Sequence, residues 1–171
     1  MTSTQELIAS VKAHIHDTDG HWGTSRFRQG TLASPVSALH FVAHQNLSND
    51  GGEGGASPTN HWSLFLELDN HTAPECVTTN LTRKVSAAAP SGTIVATILN
   101  IIIAKGRDRY TFQPVGEGCR FWLYTLASDL AQEGILSADA KKEAQGALPL
   151  YWPYPYGTTP VERPMSEGTF F

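Results

Sequence analysis

The sequence predicts an α+β domain: an antiparallel sheet packed against a helix that starts at Cys119. Three observations carry this expectation. Residues 36–44 and 61–68 alternate with a two-residue period, residues 119–133 follow a helical period, and no repeat or composition break divides the 171 residues. A chain of this length, 40% hydrophobic, can bury a core without staples, so residues 1–171 are read as one domain.

Taken in order, residues 4–14 suit a short helix with Leu7, Ile8 and Val11 on one side. The stretch from His14 to Gly23 is polar and turn-rich, so residues 1–30 read as a helix followed by a polar arm. Val36 to His44 carries Val36, Ala38, His40, Val42 and His44 on one face and Leu39 and Phe41 on the other, as a strand does. The run from Asn46 to Asn60, with Gly51-Gly52-Glu53-Gly54-Gly55 at its centre, reads as a long loop that delivers the chain to His61. Trp62, Leu64, Leu66 and Leu68 then alternate against His61, Ser63, Phe65 and Glu67.

A turn at Asp69–Thr72 and a returning strand at Cys76–Leu81 follow, which would set Asn80 opposite His61. Ile94 to Ala104 is rich in β-branched residues and is read as a buried strand, although Ile98, Ile101 and Ile102 also suit a helix. Arg107–Phe112 suits a short strand. Cys119, Trp122, Leu123, Leu126 and Leu130 form one helical stripe that stops at Gly134, and Ser137 caps a second helix to Gly146. In the tail, residues 149–171, prolines and aromatics alternate, which predicts an extended segment laid over the body without regular structure.

Several classes are excluded as expectations. A net charge of -4 offers no footprint for nucleic acid or an anionic membrane. Nothing at the N-terminus resembles a signal peptide, and the most apolar run, 94–104, is too short to span a bilayer. The chain is therefore expected to be cytoplasmic, with Cys76 and Cys119 reduced and the triplets at Asn46, Asn70 and Asn80 unglycosylated. His40 and His44, four residues apart on a strand, sit about 13 Å from each other, too far to share one metal. No metal or cofactor is expected. His14, His16, Asp17, Asp19 and His21 read as a solvated arm, and Arg83-Lys84 and Arg107-Asp108-Arg109 as loop charges.

The sharpest chemistry lies in two segments. Asn60-His61-Trp62 places an imidazole at the mouth of an aliphatic strand, and Gly116-Glu117-Gly118-Cys119 places a thiol at a helix start. A helix N-terminus lowers a thiol pKa, and free amides there can hold an oxyanion. His61 would act as base, Cys119 as nucleophile and Asn80 as the group orienting the imidazole. Because His61 sits on the more polar face of its strand, the helix must pack on that side for the pair to meet.

His61-Trp62-Ser63-Leu64-Phe65-Leu66 and Cys119-Arg120-Phe121-Trp122 resemble the circularly permuted papain-like thiol proteins, both the lecithin:retinol acyltransferase-like and the permuted deubiquitinase-like groups. The resemblance covers about twenty residues and implies a His-before-Cys thiol site on a permuted papain-like fold. The second histidine of the acyltransferase-like group is replaced here by Asn80 or Thr78. Over most of its length the chain is similar to an uncharacterised family of small filamentous-fungal proteins, some associated with specialised metabolism. Asn60-His61-Trp62, Gly118-Cys119-Arg120-Phe121-Trp122 and the Pro164-Met165 and Gly168-Thr169-Phe170-Phe171 ending carry that similarity.

Three functions compete at this point. One is a cysteine-dependent hydrolase or acyltransferase acting on an amide, ester or thioester. Another is a non-covalent small-molecule binder or cyclase-like protein, using an aromatic pocket of Trp62, Phe65, Trp122, Tyr151 and Trp152 around His61. The third is a catalytically silent papain-like scaffold. In the first two the expected partner is a small molecule or acyl conjugate; oligomeric state is left open.

Overall fold

In the computed structural model, residues 3–18, 28–49, 57–69, 80–114 and 117–171 are described. The Gly51–Gly55 loop, most of the expected strand at Cys76–Leu81, Cys76 itself, Gly116 and His21 lie outside the described residues.

Helix α1 (Thr4–Asp17) opens on a capping box, with the Ser3 hydroxyl accepting from the Glu6 N–H and the Glu6 carboxylate from the Ser3 N–H. It buries Val11 and Ile15 and runs through the segment expected to be a loop, as far as Asp17. His14 stays in the helix because its Nε2 bonds the buried Asp108 carboxylate at 2.8 Å.

A short 3-10 turn at Gln29–Ala33 leads into three strands: β1 (Val36–Gln45), β2 (Asn60–Leu68) and β3 (Leu81–Ala88). They form an antiparallel sheet in the order β2-β1-β3. The two flanking strands never pair, and β1 sits at the centre. Leu39, Phe41, Ala43, Trp62 and Val85 point from one face into the core. Near its β3 edge the ladder is irregular: Ala43 pairs with Arg83 and His44 with Leu81, leaving Thr82 as the extra residue. Its buried hydroxyl donates to the Ala43 carbonyl at 3.1 Å.

Helix α2 (Val95–Ala104) corrects the strand expectation for 94–104. Isoleucine and valine favour strands only weakly, and burial overrides that preference. Packed between α1 and a third helix, α2 buries Val95, Ala96, Ile98, Ile101 and Ile102, which accounts for apolar residues around most of its circumference.

Short strand β4 (Tyr110–Thr111) precedes α3 (Cys119–Gln132) and α4 (Ala138–Ala147). Helix α3 packs on β2 and α4 on β3. The end of α3 is a Schellman turn: Gly134 has φ 75°, its N–H bonds the Ala131 carbonyl, and the Ile135 N–H bonds that of Leu130. Ser137 caps α4 by accepting from the Ala140 N–H at 3.1 Å.

The tail is more regular than expected. Strand β5 (Leu150–Tyr151) pairs with β6 (Val161–Glu162), and β7 (Thr169–Phe170) pairs back to β4. No helix among the described residues is long and apolar enough to cross a membrane.

Candidate functional site

Three chain ends meet at one corner of the sheet: the exit of β1, the entry of β2 and the start of α3. Between them lies a cavity of about 250 Å³ lined by Asn46, Ser48, Asn49, Thr59, Asn60, His61, Glu117, Gly118, Cys119 and Arg120. Cys119 and His61 thus line one cavity, whose residues are mostly of polar type while its exposed walls mix polar and apolar surface.

Cys119 is the first residue of α3, after Gly118, whose φ of 138° suits glycine alone. A Cβ on Gly118 would stand 2.8 Å from the Tyr110 hydroxyl, which itself donates to the Gly118 carbonyl at 3.0 Å. The thiol is half-buried. Burial pushes its pKa up, against the N–H groups of Trp62, Arg120 and Cys119 itself and the Arg120 charge, all of which favour the thiolate. The expectation of a lowered thiol pKa is therefore corrected: desolvation outweighs the helix terminus, and the resting form is the protonated thiol.

His61 is the second residue of β2 and is exposed, with His44 directly across the ladder. Although the residue is exposed, protein close around the ring strips part of its water, and this, with a smaller repulsion from His44, pushes its pKa down from the ordinary 6.5, which favours the neutral ring. Its Nε2 lies 3.3 Å from the Ser63 hydroxyl. The packing side differs from the expectation. Helix α3 lies on the Trp62 face of the sheet, and Trp62 is 2% exposed in the core. Cys119 meets β2 at the Trp62 backbone N–H, so the cavity forms around the end of the strand, with His61 on its rim.

The groups that hold this corner were not singled out from the sequence. Asn60, 2% exposed, donates to the Trp152 carbonyl at 2.8 Å and the Thr82 hydroxyl at 3.1 Å, and accepts from the Trp152 N–H at 2.7 Å. Arg120 is buried and donates to the carbonyls of Arg163 at 2.7 Å and Pro164 at 2.9 Å. Glu117 pairs with Arg163 at 2.8 Å and with the Ser166 hydroxyl. An Asn before a His, or an Arg after a Cys, carries no periodic signal; only the folded tail reveals what they hold.

The other predicted site residues lie elsewhere. Asn80 is corrected: β1 intervenes, so Leu81, next along the chain, sits across β1 from His61, roughly 9–10 Å away. Asn80 is exposed, has φ 54°, and accepts the Gln45 N–H through its carbonyl, so its amide does not orient His61. The aromatic wall is corrected likewise, since none of its five members lines the cavity. Phe65 lies beside His44 with ring centroids 6.1 Å apart, and Trp122 donates its indole N–H to the Arg107 carbonyl. Tyr151 pairs with Val161 in the β5–β6 ladder. Trp152 instead lines a second cavity of about 320 Å³ with Arg83, Tyr156 and Pro160, the Arg83 guanidinium lying 4.8 Å from its ring centroid.

Comparison with the curated proteins gave no match, and comparison with solved structures gave none. A family model does match, from residue 70 to residue 171, a span that holds Glu117, Cys119, Arg120 and the tail and begins after Asn60 and His61. Covering more than half of the chain, that match places the protein in the DUF7770 family, a domain family of unknown function.

Proposed function

We propose that the protein is a cysteine-dependent hydrolase or acyltransferase for an amide, ester or thioester, with Cys119 as nucleophile and His61 as base. The observation that carries this reading is the shared cavity, in which three backbone N–H groups and the Arg120 guanidinium favour negative charge on the Cys119 sulfur. A neutral imidazole is the form a base must have, and His61 is held in that form.

In the first step the Cys119 sulfur bonds to the substrate carbonyl carbon as its proton is relayed across the cavity, through one water, to His61 at the rim. The leaving group departs with that proton, leaving a thioester on Cys119. Water or an acceptor alcohol or amine then attacks the thioester, giving up its proton to His61 and freeing the thiol. The same amides that oppose thiol burial stabilise the sulfur as it gains charge. A cavity of about 250 Å³ with mixed polar and apolar walls suits a small acyl group that carries hydrogen-bonding atoms. The His-before-Cys order, on a strand and a helix start, supports a relation to the permuted papain-like thiol proteins.

Non-covalent binding of a small polar molecule is the second reading. It is favoured by the burial that keeps Cys119 protonated and the crowding that keeps His61 neutral, which make the lining a set of hydrogen-bonding groups.

Iodoacetamide labelling of the folded protein, read by mass spectrometry, separates the two. The enzyme reading expects Cys119 to react at neutral pH, about 100-fold slower in His61→Ala, and to form an acyl adduct with p-nitrophenyl esters or acyl thioesters. A Cys119 that stays inert until the chain unfolds leaves only the binding reading.

A further inference from the structure

On the sheet face turned away from the helices, β1 contributes His40, which is 6% exposed. Its register partners are Ser86 on β3 and Phe65 on β2. His40 Nδ1 lies 2.8 Å from the Ser86 hydroxyl, and its Nε2 lies 2.8 Å from a Glu67 carboxylate oxygen. Ser86 is exposed and Glu67 about half-buried.

We propose that Ser86, His40 and Glu67 form a second acyl-transfer site that takes small esters with an apolar acyl group. An ionised carboxylate only accepts hydrogen bonds, so Nε2 of His40 is the nitrogen that carries the proton. In the neutral ring, that leaves Nδ1 with a lone pair able to accept the Ser86 hydroxyl proton across the 2.8 Å contact. A hydroxyl, an imidazole and a carboxylate in this order are the groups of a serine nucleophile with its base and its positioning residue. The ring nitrogens are used in the reverse sense from the usual serine triad, but either nitrogen can take a proton. Burying a neutral imidazole needs only two satisfied nitrogens. Here the acceptor nitrogen is satisfied by an exposed nucleophile, which a merely structural role does not require. Phe65, beside His40 in the ladder, supplies the apolar surface for the acyl group.

In the reaction the Ser86 oxygen bonds to the ester carbonyl carbon while its proton moves to Nδ1 of His40. The alcohol leaves with that proton. Water, activated by the same nitrogen, then cleaves the Ser86 ester to release the acid and restore the hydroxyl. No residue is shared with the Cys119 cavity.

The test is exposure of the full chain to an alkyl fluorophosphonate. There the Ser86 oxygen would bond to phosphorus, fluoride would leave, and the proton would go to His40. Peptide mass spectrometry should show Ser86 modified at least about 100-fold faster than the exposed Ser91 of the same molecule. Ser86→Ala should remove the adduct, and Glu67→Gln and His40→Gln should slow it at least about tenfold. Modification of Ser86 no faster than Ser91 overturns the proposal, and this comparison needs no variant to fold. A Glu67→Gln protein that is folded by circular dichroism and labelled at the wild-type rate overturns it equally.

Discussion

At the residue scale, the Cys119 cavity is set by two neutral groups whose neutrality has opposite consequences for pH. Cys119 is held above its ordinary range by burial, so the folded state keeps its proton longer than the unfolded state. Its contribution to stability is complete below about pH 9 and is lost as pH rises above that value. His61 is held below 6.5, so the folded state favours the neutral ring. Its contribution is present above about pH 6.5 and fades as pH falls below it. Urea midpoints measured from pH 5 to 7.5 should therefore rise with pH in the wild type and flatten in His61→Gln; parallel curves would remove His61 as the cause. The thiol and imidazole were legible in the sequence as residue types at element boundaries. The direction of the thiol shift was not, because it depends on how deeply α3 presses Cys119 against β2, and a helix start says nothing about that depth. The Asn80 assignment failed for a related reason. It assumed that consecutive strands pair, whereas β1 takes both partners.

At the element scale, the corner is fixed by side chains that tie strand ends to the tail. Asn60 links β2 to β5 through both the N–H and the carbonyl of Trp152, and to the bulged Thr82 on β3. Asn60→Ala would leave the partly buried Trp152 N–H and carbonyl without that partner. With each stranded group costing about 1–3 kcal/mol, the expected loss is about 3 kcal/mol, measured by urea unfolding. A loss under about 1 kcal/mol would mean that water replaces the amide. Gly118→Ala tests the other side of the corner. It places a methyl against the Tyr110 hydroxyl and forces a φ of 138°, so it should cost at least about 2 kcal/mol and change the labelling rate of Cys119. Alternation and capping made β1, β2, α3 and α4 readable within a residue or two. The segment 94–104 was misread because a helix apolar on most sides and a buried strand share one composition, and only its neighbours α1 and α3 decide.

At the scale of the whole molecule, the last eleven residues are more than the irregular covering that composition alone describes. They are a latch. Arg120 reaches from α3 to the Arg163 and Pro164 carbonyls, Glu117 holds Arg163 and Ser166, and Tyr110 accepts the Gly168 N–H at 2.8 Å while β7 closes on β4. Every one of these ties ends within a few residues of Cys119 or on the strand whose tyrosine holds Gly118. The tail therefore braces the start of α3 as well as covering it. Arg120→Met keeps most of the buried volume but removes both donors, and it also removes the charge nearest the thiol that favours its ionised form. Two readouts should move together. Stability should fall by about 2–4 kcal/mol in urea, since buried carbonyls lose charged donors. Cys119 should need a higher pH to react with iodoacetamide. Glu117→Gln, which keeps the shape of its contacts and loses only the ion pair with Arg163, should cost about 1 kcal/mol and leave the sheet intact. If Arg120→Met loosens the tail, seen as faster proteolysis after Pro160, while Cys119 reacts as in the wild type, the latch is a brace for the fold and not for the site. Movement of both together would make the tail part of the machinery that sets the thiol.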